Sequence, residues 1–167
     1  MTDQSFEPIP PPMDRAAGVI AGIARRAYPK APMELLDRVP VTLSGGIEGD
    51  CRGVRKPRGT GKRQVTLMER TDWDAAMAQV GGALPWHARR CNLLVDGLDL
   101  PQQAGARLCL GAEVVLEITA FCDPCARMEA LAPGLFDALM PDWRGGACAR
   151  VLQGGTIAVG DVIRLAV

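Results

Sequence analysis

Short apolar runs separated by glycine-bearing turns make up most of the chain, and few are long enough for a helix. Gly18 to Ala24 is the first, β-branched enough for a strand. Val39 to Leu43 is another, ended by Ser44-Gly45-Gly46, and Gln64 to Met68 and Leu93 to Val95 follow. Arg107 to Leu110 and Glu113 to Phe121 flank Gly111-Ala112 and read as a hairpin. Thr156 to Val159 and Val162 to Ala166 flank Gly160-Asp161 in the same way, so a second hairpin loosely echoing the first is expected. Ala147 to Leu152 supplies a strand between them. Helical spacing is confined to brief stretches. Thr71, with Asp74 three residues on, makes a capping-box-like start to a helix through Gln79, closed by Gly81-Gly82. Its Trp73, Ala76, Met77 and Val80 recur at helical spacing and are expected in the core. A second short helix is expected around Leu135 to Met140.

Seven or more short strands with glycine turns argue a mainly β fold, a closed or nearly closed antiparallel β-barrel with a few short helices. Residues 16–167 read as one domain. Residues 1–15 hold Pro8, Pro10, Pro11 and Pro12 with few apolar partners, and are expected to form a disordered or loosely attached tail.

Composition narrows the function classes. With 19 basic and 19 acidic side chains the formal charge is zero, so nothing global argues for nucleic acid or an anionic membrane. No apolar run approaches the roughly 20 residues of a membrane span, and the N-terminus lacks a secretion signal pattern. Six cysteines in that context read as reduced thiols in a cytoplasmic protein. Only three lysines, Lys30, Lys56 and Lys62, are available for a Schiff base, which makes pyridoxal phosphate an unlikely cofactor of this chain.

The richest local chemistry lies in Phe121-Cys122-Asp123-Pro124-Cys125-Ala126-Arg127. A strand leads into it, and the alanine- and leucine-rich Ala126 to Leu131 leads out. Asp123 suits an N-cap and Pro124 the first helical position, which would put Cys125 at the second, where free N–H groups and the helix dipole favour a thiolate. Arg127 adds a positive charge. Cys122 ends a strand and has no such support. Other readings compete. The cysteine could simply fill core. Half a zinc site would need further ligands, yet His87 is the sole histidine and is expected in a loop. A thioredoxin-like dithiol needs more secondary structure after it than Ala126 to Val167 supply.

Two basic segments are candidate anion binders. From Cys51 to Gln64 there are six positive side chains and no negative one, Arg52 to Arg63, with Gly53, Gly59 and Gly61 able to admit close backbone approach. A solvated surface loop explains it equally well. In Arg89-Arg90-Cys91-Asn92, an arginine and an asparagine flank the start of the Leu93 strand and could donate to an anionic or heterocyclic ligand, or be surface charge beside a turn.

Several of these pieces occur together in one known family. Gly46-Ile-Glu-Gly49-Asp50, Arg90-Cys91-Asn92-Leu93-x-Val95-x-Gly97, Gly105 to Gly111, Cys122-x-x-Cys125 and Gly154-Gly155-Thr-Ile-x-Val-Gly160-Asp161 run from about residue 18 to 167. In this the chain resembles the MOSC domain, the C-terminal domain of molybdenum cofactor sulfurases, which also occurs alone in many bacteria. The resemblance implies a β-barrel and an essential cysteine, which maps onto Cys125. It also implies a molybdenum cofactor ligated by that cysteine, with Gly49, Asp50, Arg52, Arg90, Asn92 and Arg127 as cofactor-binding residues. The implied activity is a small molybdenum oxidoreductase, such as a reductase of N-hydroxylated compounds, working with a separate electron donor. A sulfur carrier holding a persulfide on Cys125, supplied by a cysteine desulfurase, is the second reading. A non-catalytic barrel binding a protein partner is the third. The pyridoxal-phosphate domain of the sulfurases and the additional domains of amidoxime-reducing relatives have no counterpart in the sequence, which implies a free-standing module.

Overall fold

Seven strands close on themselves in the computed structural model, which describes residues 17–166. The expected tail, residues 1–15, lies outside the described residues. The strands are β1 (Ala17–Arg25), β2 (Glu34–Leu36), β3 (Arg38–Thr42), β4 (Gly46–Ile47), β5 (Val65–Glu69), β6 (Leu93–Asp96), β7 (Arg107–Leu110), β8 (Val114–Phe121), β9 (Ala147–Gln153), β10 (Gly155–Ala158) and β11 (Val162–Leu165). The helices are α1 (Arg70–Val80), α2 (Ala126–Leu131) and α3 (Leu135–Ala138). Round the barrel the order is β1, β11, β7, β8, β9, β5, β6 and back to β1. β2 extends the sheet beyond β1, and β10, β3 and β4 form a separate three-stranded sheet.

Alternation along the strands explains the packing. Val65 and Leu67 of β5, Leu93 and Val95 of β6, and Leu108, Leu110, Leu116 and Ile118 of the β7–β8 hairpin fill the barrel. The intervening Met68 and Leu94 point outward into a second core under the helices, with Trp73, Ala76, Met77, Met128, Leu135 and Leu139. β5 and β6 are therefore apolar on both faces, and theirs is the one parallel pairing of the barrel, joined through α1. Parallel pairs need both faces covered, and the helices supply the outer cover here.

Three local expectations are corrected. The second hairpin does not form: β10 pairs with β3, whereas β11 pairs with β1 and β7. At Gly160 (φ 94°) the chain is clasped by Ile20, which exchanges backbone hydrogen bonds with Gly160 and Asp161, so the two strands diverge into different sheets. The capping box at Thr71 is also absent. β5 runs straight into α1, with Glu69 at the N-cap position and no side-chain capping bond. The Glu69 carboxylate instead accepts the Leu100 N–H at 3.2 Å. The far end behaves as expected: Gly81 is left-handed (φ 66°), and Gly82 N–H closes on Met77 O at 3.0 Å. The third correction concerns α2, whose first helical residue is Ala126, so Cys125 itself occupies the N-cap position in extended backbone (φ −117°, ψ 173°). Arg89 holds the preceding residues extended by donating to the carbonyls of Cys122 and Asp123, which delays the first helical turn.

Candidate functional site

The chain just after β1, the turn after β4, the start of β5, the approach to β6 and the Cys122–Met128 turn all reach one cavity of about 310 Å³. Its wall carries Arg26, Arg52, Arg63, Arg89, Arg90 and Arg127 together with Lys30. Only Asp50 and Asp123 oppose them. Asp50 is buried and already committed, accepting the backbone N–H of Arg26 at 3.0 Å and of Arg52 at 3.3 Å. It shapes the turn that presents Arg52. The cavity is therefore strongly cationic and suits an anionic ligand.

Of the residues named from sequence, Asp50, Arg52, Arg90, Asn92, Cys125 and Arg127 line this cavity. Gly49 does not; it stands in the turn just before Asp50, where its φ of 82° lets the chain pass beside Arg25. Arg127 donates to Ala88 O at 2.8 Å, and burial followed by the charge of Arg90 lowers its pKa. Asn92 is buried and accepts the Thr66 N–H. His87 lies in a short 3₁₀ turn, edge-on to Trp86.

The basic loop divides. Arg52 and Arg63, at its two ends, reach the cavity and also border a neighbouring shallow depression, which Arg55, Lys56 and Lys62 line without reaching the cavity. Gly53 serves the loop's own packing and not a ligand: a Cβ there would meet Gly45 O at 2.0 Å. Gln64 pins this crossing by donating to Leu43 O at 2.8 Å and Gly53 O at 3.3 Å.

The sulfur chemistry differs most from expectation. Cys125 is exposed at the cavity. Cys122 is buried in its wall, and its Sγ accepts from Arg63 at 3.5 Å and from Arg89 at 3.7 Å. Interaction with the neighbouring Cys148 and Cys91 thiols, followed by the charges of Arg89 and Arg63, holds Cys122 below the ordinary thiol value despite burial. Cys148 and Cys91 are correspondingly pushed up, each by its interaction with Cys122 and then by burial. The electrostatic support expected at the helix start for Cys125 is thus built around Cys122, from other elements. Gly145 permits it: a Cβ there would come within 2.6 Å of Cys122 O and 3.2 Å of the Arg89 guanidinium.

Sequence reasoning missed Arg26, Arg63 as an individual residue, Arg89 as the organiser of the turn, and the Cys91–Cys122–Cys148 cluster. Arg89 had a local signal beside Arg90. Cys148 had none; the β8–β9 register, which places Ala120 opposite Cys148, brings it in.

The family model of the MOSC domain matches residues 54–164. A comparison with curated proteins gave no match. Among solved structures, the YuaD protein from Bacillus subtilis is similar with a TM-score of 0.73 at 18% identity, covering 89% of this chain and 95% of that one. YiiM from Geobacillus stearothermophilus is similar with a TM-score of 0.65 at 18% identity, covering 90% and 75%. For YiiM from Escherichia coli the values are 0.63 and 14%, with 89% and 70% covered. At these identities the likeness speaks for the fold, and it agrees with the motif order and the closed barrel. The chain belongs to the MOSC domain family.

Proposed function

We propose that the chain is a molybdenum-cofactor-binding module with Cys125 as the metal's thiolate ligand. The observation that supports this most is the placement of an exposed thiol at a cavity walled by six arginines. The fit is chemical: thiolate suits a soft metal centre, and guanidinium groups suit the phosphate of a pterin cofactor. A cavity of about 310 Å³ also falls in the range of small-molecule sites. Arg52, Arg90 and Arg127 would hold the anionic part, with Arg26 behind them. The bound group would supply two-electron redox chemistry, with electrons from a separate donor protein.

A sulfur carrier is the second reading. Cys125 stands in extended backbone ahead of a short helix, open to a partner such as a cysteine desulfurase. The two readings part on purification. Protein made in a host with molybdenum cofactor should retain near-stoichiometric molybdenum and molybdopterin by metal analysis and mass spectrometry, and Cys125→Ser should lose at least tenfold. Molybdenum-free protein carrying sulfane sulfur on Cys125 would replace the first reading by the second.

A further inference from the structure

Cys122 is a nucleophile that the proposed function does not use. Its side chain is 2% exposed, yet it forms part of the cavity wall beside Arg63 and Arg89. Two guanidinium groups from separate parts of the chain converge on its sulfur, Arg63 at 3.5 Å and Arg89 at 3.7 Å. A sulfur that merely filled core would need neither of them, because a neutral thiol is at home among apolar atoms. Two charged donors on one sulfur are the environment of a thiolate. The cavity that reaches it admits anions by charge and small molecules by size. An electrophile suited to this arrangement is small, anionic and soft.

We infer that Cys122 is a second reactive site, one that accepts sulfane sulfur from a small anionic donor such as thiosulfate or inorganic polysulfide. The Cys122 thiolate attacks the donor's outer sulfur. A sulfur–sulfur bond forms to Cys122 as the donor's own sulfur–sulfur bond breaks, and the electron pair leaves on sulfite or hydrosulfide. With thiosulfate, Cys122–S⁻ plus S–SO₃²⁻ gives Cys122–S–S⁻ plus SO₃²⁻, with no external oxidant or reductant. Arg63 and Arg89 neutralise the charge before and after transfer. The site differs from Cys125 in burial and partners, and because both line one cavity it is open to a small anion when Cys125 carries no cofactor.

The test uses the full chain produced in cells unable to make molybdenum cofactor, incubated separately with thiosulfate and with inorganic polysulfide. Peptide mass spectrometry then maps the added sulfur, and released sulfite is measured in the thiosulfate arm. Loading of Cys122 in the wild type and in Cys125→Ser, from either donor, supports the inference, and the two arms identify the donor. Arg63→Gln, which leaves Cys122 in place, should slow loading about tenfold or more. Sulfur found only on Cys125, a Cys122–Cys148 disulfide in place of a persulfide, or an unchanged rate in Arg63→Gln would each overturn it. Failure here leaves the molybdenum reading of Cys125 standing, since that reading is decided by metal content.

Discussion

Asn92 shows how one side chain can line a ligand cavity and still belong to the scaffold. Its Oδ1 accepts the Thr66 N–H at 3.1 Å, and its Nδ2 donates to Ala24 O at 3.1 Å. Three neighbouring segments, β1, β5 and the approach to β6, are tied through it. Both functions of the amide are used, so a replacement must leave buried backbone groups unpaired. Each such group costs about 1–3 kcal/mol. Asn92→Ala is therefore expected to lower unfolding stability by about 2–4 kcal/mol on that scale, measured by urea denaturation. A neutral effect on stability, with ligand binding alone reduced, would assign Asn92 to the ligand instead. Cys122 differs in kind, because its partners are two cations converging on one atom.

At the scale of elements, the junction of β5 with α1 carries an ionisation the strand pattern did not announce. Burial, and then the negative charge of Asp72, raises Glu69 from 4.5 to about 7. The Leu100 N–H opposes this only in part. Between pH 4.5 and about 7 the folded chain therefore holds more proton than the unfolded one, and stability falls as pH rises across that window. Glu69→Gln keeps an acceptor for Leu100 and removes the titration. Thermal or urea unfolding followed over that range should show the slope in the wild type and a flatter profile in the variant. A slope unchanged by the substitution would locate the pH dependence elsewhere. The short α2 teaches a different lesson: a proline and a good capping residue did not start the helix where local preference put it, because Arg89 holds that backbone from outside.

Across the whole molecule, the barrel and the helical layer share β5 and β6, so the two cores are not independent. Leu67 is fully buried inside the barrel, one residue from Met68 in the outer core and on the strand that follows Arg63. Leu67→Ala should cost about 2–5 kcal/mol through lost burial and the cavity left behind. Unfolding should stay a single transition, with tryptophan fluorescence and circular dichroism changing together. Two separated transitions would show that the layers fold apart. Among the described residues no helix is long and apolar enough to cross a membrane.

Most strands and all three helices, though not the starting residue of α2, were legible because they depend on near neighbours: alternation, β-branching, and glycine where the backbone turns left-handed. The order of the family motifs was legible for the same reason, each being a short run of residues. The closure of β11 on β1, the parallel β5–β6 pair and the divergence at Gly160 were not, since each depends on partners far away in sequence. The cation-rich turn at Cys125 could be named from the chain. Which sulfur the arginines surround could not. Arg63, the Arg89–Cys91 segment and Cys148 come from three separate places, and only strand register and the close packing allowed by Gly145 bring them to Cys122. Local sequence determined the elements and the family, and tertiary structure decided the electrostatics, because charges and hydrogen-bond donors act through space and not along the chain.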